Sequence, residues 1–278
     1  MNSDHYFYIG KSHNVNQDYS ISGEINGTHY CIVCDGCSGS PDTDIGARLL
    51  ARSALSYIDR IHSDAFQNDV LHDLIISKAA MQAKALDLHP RALDATLLIA
   101  SFYKDTFYVK MYGDGCSIIK FTDGTMDIHE VEFPQNAPYY LNYLARDSQY
   151  IEEYKQYIGK FKYTDLIHID GAQKNIREKF APEKPSDMWK DLGYPKDSIQ
   201  FIALMSDGVK SFDTKKISND SITNENVDHI EIINELTSFK NTKGEFVKRR
   251  VHNALKTFAS NDIHHKDDLS VAVLYNDE

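Results

Sequence analysis

Three apolar segments of this chain each run into an Asp-Gly pair: Cys31-Ile32-Val33-Cys34-Asp35-Gly36, Val109-Lys110-Met111-Tyr112-Gly113-Asp114-Gly115 and Phe201-Ile202-Ala203-Leu204-Met205-Ser206-Asp207-Gly208. A mirror case, Asp267-Asp268, immediately precedes the apolar run Leu269–Leu274, and Asp18 in Asn16-Gln17-Asp18 opens another strand-like run. Singly, Asp and Gly are ordinary turn residues where a strand stops. Together they have a different meaning. If such strand ends meet at one edge of a sheet, each offers one carboxylate, and the set forms a cage of oxygen donors suited to Mg2+ or Mn2+. Without cations, that many carboxylates repel one another strongly. The glycines let neighbouring main-chain carbonyls turn toward the metal.

Rigid elements must stand behind these residues. Strand-like pieces open the chain at Tyr6–Ile9, Tyr19–Ile25 and Thr28–Cys34, and Asn26-Gly27 between the last two is a hairpin signal. Leu50, Ala54, Ile58 and Ile61 recur at helical spacing after Asp42; Ile75, Ala79, Ala83 and Leu86 do so within Leu71–Leu86, which His89-Pro90 ends. Ala95–Tyr103, Thr106–Tyr112, Ser117–Phe121 and Thr125–Phe133 follow with tight connections, which predicts an antiparallel meander. Residues 134–195 hold five of the seven prolines and the single tryptophan, Trp189, around one strand candidate, Tyr163–Ile169; they read as a long irregular insertion. A strand at Ile199–Met205, a polar loop near Thr214–Asn226, a helix over Glu245–Ala259 and a strand at Leu269–Tyr275 complete the chain. Grouped helices between long strand runs point to a single α+β layered domain over residues 1–278, not to βαβ alternation.

Composition narrows the function classes. Thirty Lys+Arg against 41 Asp+Glu leave a formal charge of −11, which disfavours nucleic acid and anionic membrane surfaces as partners. No apolar run approaches the ~18 residues of a membrane span, and the N-terminus lacks a signal-peptide pattern, so a cytoplasmic location is expected. Cys31, Cys34 and Cys37 form C-x-x-C-x-x-C, but the first two lie on a strand, where residues three apart face opposite sides. Reduced structural thiols, Cys116 included, are the expectation. Asp42-Thr43-Asp44-Ile45-Gly46 lacks the acidic twelfth position of a calcium loop, and no Walker or G-x-G-x-x-G loop is present. His264-His265 reads as a polar loop.

The acidic blocks resemble, in order, those of the protein phosphatase 2C family of metal-dependent Ser/Thr phosphatases. Asn16-Gln17-Asp18 is similar to its N-terminal block, and Val33-Cys34-Asp35-Gly36-Cys37-Ser38-Gly39 to its apolar-Asp-Gly-x-x-Gly loop. Gly113-Asp114-Gly115 resembles the central Gly-Asp-Ser segment, with Asp94-Ala95-Thr96-Leu97 for the preceding Thr-containing strand. Ser206-Asp207-Gly208-Val209 and Asp267-Asp268-Leu269-Ser270 resemble the two C-terminal metal blocks. The resemblance implies a four-layer αββα sandwich: two mostly antiparallel sheets flanked by helices, with two Mn2+ or Mg2+ ions at one end. It implies that Asp35 bridges both ions, Gly36 offers its carbonyl, and Asp207 and Asp267 complete one site. Asp114 would help hold a third, weaker ion, and Asp18 would stand nearby as a carboxylate acting directly or through water. Gln17 replaces the more common Glu, Cys37 stands where some members carry a histidine acid, and His13 occupies the place of an arginine that grips substrate phosphate.

The implied reaction is hydrolysis of phosphoserine and phosphothreonine in proteins, the products of Ser/Thr kinases, by a water bridging two divalent ions. No covalent intermediate is required, so Ser38 and Ser40 read as a flexible loop. A monomer is expected, and residues 134–195 stand where the family carries its flap beside the site. The alternatives are a catalytically weak or inactive pseudophosphatase that serves as a regulatory binding module, and a small-molecule phosphatase. Six acids (Asp18, Asp35, Asp114, Asp207, Asp267 and Asp268) are expected in one cluster. Two bound divalent ions would bring the charge of −11 to about −7.

Overall fold

The computed structural model describes residues 1–62, 68–146, 148–218 and 221–277. Strands β1 (Asn2–Tyr8), β2 (Asp18–Ile25) and β3 (Thr28–Asp35) lead into helices α1 (Thr43–Leu55) and α2 (Asn68–Ala85). Next come β4 (Leu97–Tyr103), β5 (Thr106–Tyr112), β6 (Gly115–Phe121) and β7 (Met126–Val131). Helix α3 (Ser148–Ile158) precedes β8 (Lys162–Asp170), β9 (Gln173–Phe180), β10 (Lys190–Pro195) and β11 (Ile199–Met205). The chain closes with β12 (Phe212–Ser218), β13 (Ser221–Asn226), α4 (His229–Thr237), α5 (Phe246–Ser260), β14 (Ile263–His265) and β15 (Leu269–Tyr275).

The strands form a seven-stranded sheet ordered β1-β15-β11-β6-β7-β8-β9, a five-stranded sheet ordered β10-β5-β4-β3-β2, and a small sheet ordered β13-β12-β14. Period-two alternation assigns each strand's two faces. Cys31 and Val33 point between the large sheets, where they join Leu98, Ala100, Ile202, Leu204, Ala272 and Leu274. Ile32, Cys34, Leu97 and Ile99 point the other way, into a core shared with Leu50, Ala54, Ile75 and Ala79 of α1 and α2. On the far side, Ile118, Ala203, Met205 and Val271 pack with Ile233, Leu236, Val247 and Val251 of α4 and α5. The layers are therefore helix, sheet, sheet, helix, as expected. The four thiols are free, and Cys31 and Cys34 lie on opposite faces of β3. No helix among the described residues is long and apolar enough to cross a membrane.

Three expectations change. The meander is broken in the middle: β4 and β5 belong to one sheet, β6 and β7 to the other, and the chain crosses at Gly113-Asp114. The supposed polar loop near Thr214–Asn226 is the β12–β13 hairpin, its residues 219 and 220 lying outside the described residues. Residues 223–226 are exposed, so no buried face imprinted an alternating pattern. Residues 134–195 are not irregular: they contain α3, β8, β9 and β10, and an aromatic core of Tyr139, Tyr140, Tyr143, Tyr154 and Tyr163. Strand β9 escaped notice because it is an edge strand, exposed along its whole length.

Asp165 on β8 ties this segment down. Its carboxylate is 1% exposed and meets Lys190, Arg177 and Lys179, the last at 3.0 Å. Burial alone would raise its pKa, but the hydrogen bonds from Lys190 and Lys179 outweigh burial and hold it well below the usual range. A carboxylate depressed in the fold contributes stability above its unfolded value, near 3.9, which is lost as pH falls toward the folded value. Asp165→Asn, which leaves the buried Lys190 ammonium without its counter-charge, is expected to cost about 3 kcal/mol at pH 7. Urea unfolding at pH 7 and near pH 2 checks this: the gap from wild type should shrink in acid.

Candidate metal centre

The pairing registers bring all the predicted carboxylates to one end of the sandwich. Asp18 opens β2 directly opposite Asp35, which closes β3. Met205, at the end of β11, pairs with Cys116 near the start of β6 and with Val271 near the start of β15. Asp207, Asp114 and Asp267 flank those three positions in the chain. Asp114 sits at the crossing between sheets, between Gly113 at φ 93° and Gly115 at φ 106°. Only glycine adopts that left-handed backbone without strain, and two such residues, one on either side of Asp114, make the sharp corner.

Each acid has its own support. Thr96 clamps Asp35: its N–H donates to the Asp35 carbonyl at 2.8 Å, and its Oγ1 accepts the Asp35 N–H at 3.1 Å. Gly36 donates its N–H to the Gln17 carbonyl at 3.2 Å. A Cβ on Gly36 would come within 2.8 Å of Thr43, so this carbonyl-bearing turn admits no larger residue without movement. Ser206 Oγ donates to Asp18 Oδ2 at 2.6 Å and accepts the Ser270 N–H at 2.9 Å. The Gln17 side chain donates to Thr43 Oγ1 at 2.8 Å, linking the N-terminal block to the first residue of α1.

The carboxyl groups of Asp18 and Asp35 lie within hydrogen-bonding reach, as do those of Asp35 and Asp207. Burial first, and then neighbouring carboxylates, hold Asp18, Asp35 and Asp114 well above the usual carboxylate range. Asp267 is raised for the same two reasons, its strongest neighbour being Asp207. Asp18 is 1% exposed, and its Oδ1 has no hydrogen-bond partner. An all-oxygen donor set with mutual repulsion and an orphaned buried oxygen fits a hard divalent cation. Among the described residues, no three His, Cys, Asp or Glu side chains already close around one point; the acids line an edge instead.

His13 lies against the C-terminal block, its Nδ1 2.9 Å from Asp268 Oδ2 and its Nε2 3.4 Å from Asp267 Oδ1. Burial opposes its protonation, but those two acids prevail and raise the imidazole pKa. Asp268, expected in the same acidic cluster, is engaged with the main chain. Its 2% exposed carboxylate accepts N–H groups from Gly10 and Gln17, both at 2.7 Å, and so fastens the N-terminal loop. Ser40 is no part of a flexible loop either: it is buried, donates to Asp94 Oδ2 at 3.1 Å and accepts from Arg91 at 2.9 Å. His265 is buried against Phe212 and directed at the Ile9 carbonyl, away from any ligand role.

Two neighbours of the site went unnoticed in the sequence. The Tyr140 hydroxyl, from the inserted segment, meets Cys37 and lies in the field of Asp114 and Asp35; burial and these neighbours raise its pKa. Nothing local marks Tyr140, because its placement depends on the aromatic core of the insertion. Lys210 ends the 3-10 turn Asp207–Lys210, in which residues three apart stand one above the other. It lines a cavity of about 200 Å3 with Asp114 and Asp207, and its ammonium pairs with Glu130 and Glu132. The Asp-Gly-Val-Lys spacing was the available signal.

The description "Protein phosphatase 2C" belongs to the family whose model matches residues 9–258. Among solved structures, a bacterial serine phosphatase shares 12% identity at a TM-score of 0.57, covering 100% of this chain and 98% of its own. Serine/threonine phosphatase Stp1 from Staphylococcus aureus shares 12% at 0.54, covering 100% and 96%. Serine-threonine phosphatase 2C from Toxoplasma gondii shares 11% at 0.52, covering 98% and 94%. At such identities the likeness is one of fold. No curated protein sequence matches the chain.

Proposed function

Since the chain belongs to the protein phosphatase 2C family, we propose that its acidic edge makes it a metal-dependent phosphoserine/phosphothreonine protein phosphatase. One observation carries the reading: Asp18 and Asp35 from one sheet, Asp207 and Asp267 from the other, and Asp114 at the crossing converge at one end, where Asp18 keeps a buried oxygen unpartnered. In this proposal Asp35, Gly36, Asp207 and Asp267 hold two Mn2+ or Mg2+ ions, Asp114 serves a third, and Asp18 stands behind Asp35. When bound, divalent ions supply Lewis acidity that activates water and offsets charge on the phosphoryl group.

The chain's own residues set that stage. Thr96 and Gly36 fix the main chain of Asp35, and Ser206 orients Asp18. His13, held by Asp267 and Asp268, which favour its protonation, brings its imidazole to the rim, where it can meet a phosphate oxygen. Ser40 is buried and held between Asp94 and Arg91, a structural role that fits direct attack by water. The segment that carries Tyr140 borders the site and is the natural selector of substrate.

Hydrolysis of p-nitrophenyl phosphate and of phosphothreonine and phosphotyrosine peptides, with Mn2+ or with EDTA, tests the reading. Turnover is expected only with metal and to favour phosphothreonine. Inactivity under every metal condition would leave a regulatory binding module on this fold, and preference for phosphotyrosine would overturn the substrate class.

A further inference from the structure

A second cavity, of about 190 Å3, opens where the inserted segment meets the five-stranded sheet, and it contains none of the carboxylates of the candidate centre. Its walls include Tyr112 at the end of β5, and Lys184, Ser186 and Trp189 from the insertion. Tyr112 is 3% exposed, yet its hydroxyl has no hydrogen-bond partner; the buried Oγ of Ser186 has none either. A buried hydroxyl left unpaired costs about 1–3 kcal/mol, so two in one cavity point to a polar occupant.

The charges select its sign. Lys110 is paired with Asp191 at 2.6 Å and Lys190 with Asp165, while Lys184 has no acid partner among the described residues. Asp187 is the remaining acid of the lining and is exposed. The buried donors and the uncommitted ammonium thus face an anionic group. The rings select its shape. Tyr112 and Trp189 stand edge to face with centroids 5.2 Å apart, and His72 meets both at 4.9 and 5.4 Å. Flat aromatic walls take a flat apolar body. The volume slightly exceeds the roughly 150 Å3 of a cavity that holds benzene, which leaves room for one ring and one small charged group.

We propose that this seam cavity is a binding site for a small aromatic carboxylate, with the carboxylate on Tyr112, Ser186 and Lys184 and the ring against Trp189. The occupant would touch both elements that lead to the candidate centre. Tyr112 is followed by Gly113 and Asp114, and Trp189 Nε1 donates to the carbonyl of Tyr139, whose neighbour Tyr140 reaches Cys37. The site does not depend on the phosphatase reading.

Trp189 is the single tryptophan and lines this cavity, so its fluorescence responds when the cavity is filled. Benzoate, titrated into the full chain at constant ionic strength, is expected to give a saturable change. Tyr112→Phe and Lys184→Met should each weaken the apparent Kd at least about tenfold, the loss expected for one hydrogen bond to a charged group, while the ligand-free Tm rises in Tyr112→Phe, which sheds an unpaired hydroxyl, and is unchanged in Lys184→Met. Linear, unsaturable quenching overturns the proposal, as does an unchanged affinity in either variant. Equal binding of neutral benzamide overturns the anionic class, and equal binding of inorganic phosphate overturns the requirement for a ring.

Discussion

Asp35→Asn is expected to abolish turnover of p-nitrophenyl phosphate, a loss of about a thousandfold or more, while leaving the metal-free protein more heat-stable than wild type. Both halves follow from one position. Asp35 stands opposite Asp18 and within reach of Asp207, and burial together with those charges raises its pKa well above the ordinary value. A carboxyl whose folded pKa exceeds its unfolded value stabilises the fold most in acid, and this contribution is lost as pH rises through the folded value. At pH 7 without metal, the wild-type chain therefore carries a cost that the neutral amide removes. Relief of about 1–2 kcal/mol corresponds to roughly 2–8 °C in Tm. The gain should be seen in EDTA at pH 7 and disappear near pH 4, where wild-type Asp35 is protonated. Mn2+ should reverse the order: at about a hundred times Kd it adds ~2.7 kcal/mol to wild type and much less to the variant. Thermal scans in EDTA and Mn2+ at both pH values, alongside the assay, separate a lost metal contact from a damaged fold. Undiminished turnover by the variant would remove Asp35 from the centre.

The residues that announced the site did so because their signal is local. An apolar run buried on both faces, stopped by Asp and Gly, marks the end of an interior strand wherever that strand goes in the sheet, and β3, β5 and β11 all carry it. What a local pattern cannot carry is the direction of a neighbour. Asp267 and Asp268 are chemically identical and adjacent, yet one lies at the rim and the other turns inward to the N–H groups of Gly10 and Gln17. Alternation along the chain separates them, but only the position of residues 10–17 decides which face receives which acid. The crossing at Gly113-Asp114 was hidden for a related reason. A tight turn within one sheet and a corner between two sheets call for the same glycines, and the difference lies in whether β6 pairs with β5 or with β11. The helix–sheet–sheet–helix layering was implied by the resemblance and supported by the grouped helices. Of the insertion's three strands only β8 was legible, as Tyr163–Ile169: β9 is exposed throughout, and the aromatic core of the insertion is assembled from residues far apart in sequence.

Gly208→Ala is expected to be the most damaging single-carbon change near the site, and it tests whether the two C-terminal acids depend on one close approach. A Cβ at this position would fall 1.7 Å from the Asp268 carbonyl oxygen, backbone against backbone, so no side-chain rotation relieves the clash. The turn and the strand entrance are also stitched from the other side. Ser211 Oγ donates to the Gly208 carbonyl at 2.8 Å and accepts the Asp267 N–H at 3.1 Å, while Ser206 N–H donates to the Ser270 carbonyl at 3.2 Å. Separating the segments enough to admit a methyl group breaks those links and moves Asp207 away from Asp267. Overpacking of this kind costs about 3 kcal/mol or more, which in a chain of this length lowers Tm by roughly 6–12 °C. Turnover should fall further than stability does, because a shift of about 1 Å in a positioned group is enough to cost two orders of magnitude. The control is Gly124→Ala: its Cβ meets nothing within 4 Å, and although its φ of +92° strains an alanine, it follows the far end of β6, the whole strand away from Asp114. Gly124→Ala should lose some stability and keep its turnover, whereas Gly208→Ala should lose both. If Gly208→Ala kept wild-type turnover and Tm, the approach between the Asp207 turn and the entrance to β15 would not be what holds these two acids together.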